Sequence, residues 1–161
     1  LYGPIMRKKQ RGKDMIIKIM VVILLLTIAV FTDLKRNKID NRLILIGYGL
    51  AFLFSYREGG WSFCIDSLKY AVLIVVLLIG LFVLKGIGGG DIKLLSLIAA
   101  FFPKIAISVM LTSFLAGGII IFCFMLYRGI RGKMIYKRGE IIHFSIPIAM
   151  AFLIQITKEV L

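Results

Sequence analysis

Gly86-Ile87-Gly88-Gly89-Gly90-Asp91-Ile92-Lys93-Leu94-Leu95 decides how the rest of the chain is read. A glycine-rich turn delivers an aspartate to the head of an apolar segment. Before it lies Leu68 to Leu84, rich in Val, Leu and Ile; after it lies Ile92 to Phe102, with Lys93 near its start. Apolar runs of this kind belong in lipid. A carboxylate at the edge of a bilayer is costly, so an intramembrane acid is a functional residue by default. The glycines carry no Cβ, which lets a substrate backbone come close or lets the turn take positive φ.

Working outward, the same pattern repeats along the chain. Met15 to Thr32 is a first span, too long for the apolar region of a signal peptide and followed by no small-residue cleavage site. Residues 43–56 are a second, with Tyr48, Phe52, Phe54 and Tyr56 suited to the interface. Leu68 to Leu84 is the third. Ile92 to Phe102 is the fourth, short for a crossing and broken by Pro103-Lys104. Ile105 to Tyr127 is the fifth, with Gly117-Gly118 for close helix packing, and Phe144 to Ile156 is the last. The expectation is an all-α polytopic membrane protein of about six transmembrane helices. It has a basic segment over 1–14 and a single membrane-embedded domain over 15–161. Leu1-Tyr2-Gly3-Pro4, ahead of Met6, is expected to be partly foreign to the native chain and is set aside. Charged or polar loops are expected over 33–42, 57–67 and 128–140. Lys18, near the start of the first span, is expected to snorkel.

Composition agrees. Of 161 residues, 60% are hydrophobic, and the mean hydropathy is +0.99. A soluble domain sits near half apolar. The net charge of +13 comes from 21 basic and 8 acidic residues. The basic residues gather between the apolar runs, which fits topology and anionic headgroups rather than nucleic acid. Cys64 and Cys123 form no CxxC pair, and His143 is the single histidine. Neither a zinc site nor a disulfide framework is expected, and no cofactor is called for.

Loop charge orients the chain. The loops after the first, third and fifth spans carry Lys35, Arg36, Lys38 and Arg42, then Lys85, then Arg128, Arg131, Lys133, Lys137 and Arg138. The opposite loops carry little beyond Arg57 and Lys104. The positive-inside rule puts Asp33 and Asp91 together on the cytoplasmic side, against the vote of the basic N-terminus. Two carboxylates brought close do not both ionise readily, so one keeps a proton. Such a pair activates water: one acid takes a proton from it and the other polarises the carbonyl under attack. Each acid also has a plainer reading. Asp91 fits a helix N-cap, and Asp33 beside Lys35 and Arg36 fits an interfacial ion pair.

The chain resembles the type IV prepilin peptidases, bacterial membrane aspartyl proteases of the GxGD type. Gly88-Gly89-Gly90-Asp91 fits GxGD, and Asp91-Ile92-Lys93-Leu94 fits the family's Asp-x-Lys-Leu continuation. The family's first aspartate lies in a pattern close to Asp-x5-Ile-Pro-Asn. Here Asp33 is followed by five residues and Ile39-Asp40-Asn41, with Asp40 replacing the proline and standing as a rival first acid. The resemblance implies Asp33 and Asp91 as the catalytic pair. It also implies removal of a basic leader from prepilins or pseudopilins at the cytoplasmic face of the bacterial inner membrane. The larger relatives' methyltransferase insertion and its paired cysteines have no counterpart here, so peptidase activity alone is expected.

Gly88, Gly89, Gly90, Lys93 and Asn41 are candidate substrate contacts, alongside plainer readings of Lys93 as a snorkelling lysine and Asn41 as a loop cap. His143, Asp66 and Glu140 read as interfacial or solvated residues. Partners are a pilin-like substrate and membrane lipid, with no nucleic acid; the sequence fixes no oligomeric state. Three other readings compete. A GxGD protease cutting inside a helix usually carries Tyr-Asp where this chain has Thr32-Asp33. A small transporter would carry protons or cations on Asp33 and Asp91, and would place them nearer the midplane. A scaffold leaves the glycine-aspartate turn without a reason.

Overall fold

The architecture was derived from a computed structural model, which describes residues 3–36, 38–84, 86–130 and 144–160, the side chains of 3–11, 128, 129 and 160 excepted. The described residues form five α-helices: α1 (Gly3–Arg36), α2 (Asn41–Val83), α3 (Gly89–Phe101), α4 (Ala106–Ile130) and α5 (Ser145–Val160). A 3₁₀ turn, Pro103–Ile105, joins α3 to α4. Pro103 imposes that break, since its ring cannot continue the preceding helix. Among the described residues there is no strand, so the all-α membrane class holds.

Among the described residues, three helical stretches are long and apolar enough to cross a bilayer: Gly12–Arg36, Asn41–Val83 and Pro103–Tyr127. At 13 and 16 residues, α3 and α5 fall short by length. The expected count of six crossings therefore goes beyond what the helices establish. The outer surface is apolar, with Leu45, Leu53, Val76, Ile79, Leu111 and Leu115 all exposed. Such a surface suits lipid, where a soluble protein would carry polar groups.

The long α2 doubles back on itself. Gly59 (φ −163°, ψ 21°) and Gly60 (φ 67°, ψ −149°) leave helical geometry, and the positive φ at Gly60 is one that glycine accepts without strain. Ser55 and Ser67 then hydrogen-bond at 2.7 Å although they are 12 residues apart. A straight helix would separate them by about 18 Å. Residues 41–58 and 61–83 are thus antiparallel arms. The expected loop over 57–67 shrinks to the glycine pair, because Arg57, Glu58, Ser62 and Asp66 are all helical. The charged loop over 33–42 shrinks likewise. Helix α1 runs to Arg36, and α2 starts at Asn41 with Asp40 as its cap, whose carboxylate accepts from the Arg42 N–H at 2.9 Å. That satisfies one orphan donor of the first turn.

The core is α3. Ile92 and every residue from Leu94 to Phe101 are buried. A helix apolar all round and covered all round need not present its own length to lipid. Its small residues admit neighbours, and Gly47 of α2 does the same: a Cβ there would lie 2.8 Å from Leu97. Ser96 donates to the Ala71 carbonyl at 3.0 Å and meets Tyr48 Oη at 2.6 Å, tying both arms of α2 to α3.

Lys18 corrects an expectation. It does not snorkel: it is 5% exposed. Its ammonium donates to both oxygens of Glu58 at 2.7 and 2.9 Å, and sits 5.0 Å from the Phe102 ring centroid. Arg57 and Asp14 approach at 4.0 Å nearby. One end of the bundle therefore gathers the first turns of α1's apolar stretch, the α2 glycine turn and the α3–α4 junction.

Candidate active site

The other end gathers the sequence-derived candidates. Asp33 lies in the last turn of α1 and is half-buried. Asp91 lies in the first turn of α3 and is also half-buried. The two helices pack together and run antiparallel, since Lys18 early in α1 lies against Phe102 at the end of α3 while Leu25, further along α1, is level with Leu97. Leu25 and Leu97 meet at a common level, both against Gly47. From that level Asp33 is eight residues on along α1, about 12 Å, and Asp91 is six residues back along α3, about 9 Å. Both displacements lead to the same end, because Ile39 packs on Gly90 and Asn41 bonds Lys93 there. The two acids thus share one end of the bundle at nearly one depth.

The glycine run has a spatial reason. Gly88 is the N-cap of α3, with φ −74° and ψ 143°, a conformation open to other residues. Asp91 therefore sits three residues inside the helix and is not its cap. A Cβ on Gly88 would come 2.9 Å from Asp91 Oδ2. One on Gly89 would come 3.2 Å from the Phe82 ring, and one on Gly90 3.3 Å from Ile39. The missing side chains let the aspartate fold back over the helix start. They also let the end of α2 and the α1–α2 connection close around it. Positive φ plays no part here.

Lys93 and Asn41, considered separately from sequence, meet. The Lys93 ammonium donates to Asn41 Oδ1 at 2.9 Å on an exposed edge. This hydrogen bond joins the start of α3 to the first residue of α2, two residues from Asp91. Asp40, the rival acid, is exposed and engaged in capping α2. Lys85, His143 and the loop cations from Arg131 to Arg138 lie outside the described residues.

One partner escaped sequence reasoning. Ser145, the first residue of α5, donates its hydroxyl to Asp33 Oδ2 at 2.6 Å. The contact spans 112 positions, and nothing local to Ser145 announces it. Its neighbour Phe144 packs on Phe114, with ring centroids 5.4 Å apart, where Gly117 leaves room.

The fold and the site define an all-α membrane bundle with two acids on adjoining helices at one end. Compared with known families, the chain matches the type IV leader peptidase family over residues 20–123, about two thirds of its length. The chain belongs to that family, a family of proteases. The matched segment holds Asp33, Asn41, the glycine run, Asp91 and Lys93, and ends within α4. No curated protein and no solved structure gives a significant match.

Proposed function

We propose that this protein is an aspartyl endopeptidase of the cytoplasmic membrane that removes the basic leader of type IV prepilins or pseudopilins, with Asp33 and Asp91 as the catalytic pair. The observation that supports the reading is that both acids lie at the same end of the bundle at nearly one depth, inside the segment that matches the leader peptidases. A pair so placed suits a scissile peptide bond just outside the apolar helix of a substrate. One aspartate, ionised, takes a proton from water as the water oxygen adds to the carbonyl carbon. The other, protonated, hydrogen-bonds the developing oxyanion. Collapse of the tetrahedral intermediate breaks the C–N bond, and the abstracted proton passes to the leaving amine. The loop-charge argument supports a cytoplasmic site. Lys93 and Asn41, joined beside Asp91, are positioned to contact the substrate main chain.

The test is cleavage of a purified leader-bearing pilin precursor in lipid by wild type, Asp33→Asn and Asp91→Asn. Asparagine keeps the shape but cannot act as a base or an acid. Both variants are expected to lose at least about a thousandfold in rate while melting like wild type, as removal of a chemical group does. Normal cleavage by either variant makes that aspartate structural.

A further inference from the structure

Ser145 is fully buried, at 0% exposure. The other fully buried serines serve the fold: Ser113 donates to the Val109 carbonyl, Ser96 to the Ala71 carbonyl, and Ser55 pairs with Ser67. Among the described buried serines, Ser145 is the one that donates to a carboxylate. Its acceptor, Asp33, is one of the two acids at this end of the bundle. It occupies the C-terminal turn of α1, where a helix presents carbonyl oxygens and no spare N–H groups. The nearby Thr32 hydroxyl is turned away, back to the Ile28 and Ala29 carbonyls.

The donor is also held firmly. Helix α5 buries Ile148, Ala151 and Phe152 completely. Phe152 packs on Phe102 with centroids 5.6 Å apart, and Gln155 donates to Thr112 at 2.8 Å. A carboxylate that must meet water at hydrogen-bond distance loses rate steeply when displaced by even an ångström. From this geometry we infer that Ser145 is a positioning residue for Asp33. It holds the carboxylate in its working rotamer by a hydrogen bond to Oδ2, and keeps its own proton throughout cleavage. The inference rests on the aspartate-pair reading. It also gives α5, which lies outside the family match, a part in the site.

The experiment measures steady-state cleavage of a leader-bearing pilin precursor by the full chain in lipid, with thermal unfolding of each variant. Ser145→Ala removes the donor and fits the space. Its kcat is expected to fall roughly ten- to a hundredfold, the usual effect of losing a hydrogen bond to a charged group, with KM and melting temperature unchanged. Ser145→Thr keeps the hydroxyl and is expected to recover most of the rate. Wild-type kcat in Ser145→Ala, beside an inactive Asp33→Asn, overturns the positioning role and leaves the aspartate pair standing. A loss of kcat that tracks a fall in melting temperature also overturns it, because the serine is then only part of the fold. An active Asp33→Asn removes the pair reading and this inference together.

Discussion

The two ends of the bundle handle charge in an apolar setting in different ways. At the glycine-turn end, Lys18 is closed on both oxygens of Glu58 and capped by the Phe102 ring. At the aspartate end, Asp33 takes a hydrogen bond from a neutral hydroxyl, and the neighbouring cations Lys35, Arg36, Lys38 and Arg42 are exposed. A carboxylate bonded at both oxygens by an ammonium has its charge spent on structure. At the other end a fully buried serine hydroxyl gives a carboxylate a directional hydrogen bond. The contrast fits a first end that holds the helices together and, on the proposed function, a second end that does chemistry.

After the loss expected in the two aspartate variants, the sharpest test of this contrast is Gly88→Ala. The new methyl must occupy space 2.9 Å from Asp91 Oδ2, so the carboxylate has to move. The backbone at Gly88 accepts alanine without strain, since its φ is −74°. The expected result is a fall in kcat of about ten- to a hundredfold, with little change in melting temperature. Wild-type kcat in this variant breaks the comparison at its active end.

Lys18→Met tests the other end and is expected to act on stability alone. It leaves Glu58 without its cation in an apolar setting. Breaking a buried pair costs up to about 5 kcal/mol, but the Glu58 side chain is 28% exposed and reaches water, so about 1–3 kcal/mol is expected. Pairing it with Glu58→Gln should return most of that loss, because no stranded charge remains. The readout is unfolding in lipid or mild detergent. A change in kcat at full folding would show that the two ends are coupled.

The same contrast marks what the sequence made legible. Apolar runs report on lipid directly, so the helices and the glycine-aspartate turn could be read from composition and spacing. The turn's reason could not: Gly88, Gly89 and Gly90 make room for Asp91, Phe82 and Ile39, and Ile39 is distant in sequence. Polar residues misled where they face a partner across the bundle. Glu58 reads as loop until Lys18, 40 positions away, is seen beside it. Ser145 reads as an ordinary helix start until α5 is packed against α1. Pairings of this kind are set by tertiary contact, and a single sequence carries only one half of each.

Lys93 gives the smallest expected effect and tests the boundary between the two behaviours. Its ammonium is exposed and bonds a neutral amide, so losing that contact in Lys93→Ala should cost under about 1 kcal/mol of stability. If Lys93 only ties α3 to α2, Asn41→Ala should match it in both stability and kinetics, since each removes the same hydrogen bond. If Lys93 also meets substrate, the two variants part. Lys93→Ala raises KM severalfold, while Asn41→Ala, which leaves the cation in place, raises it less. The second pattern is the one expected, because Lys93 stands two residues from Asp91 on the exposed rim. There a main-chain carbonyl of the substrate can replace Asn41 as its acceptor at little cost. Equal effects in the two variants would assign the pair to the framework and confine the chemistry to the acids and the serine that steadies Asp33.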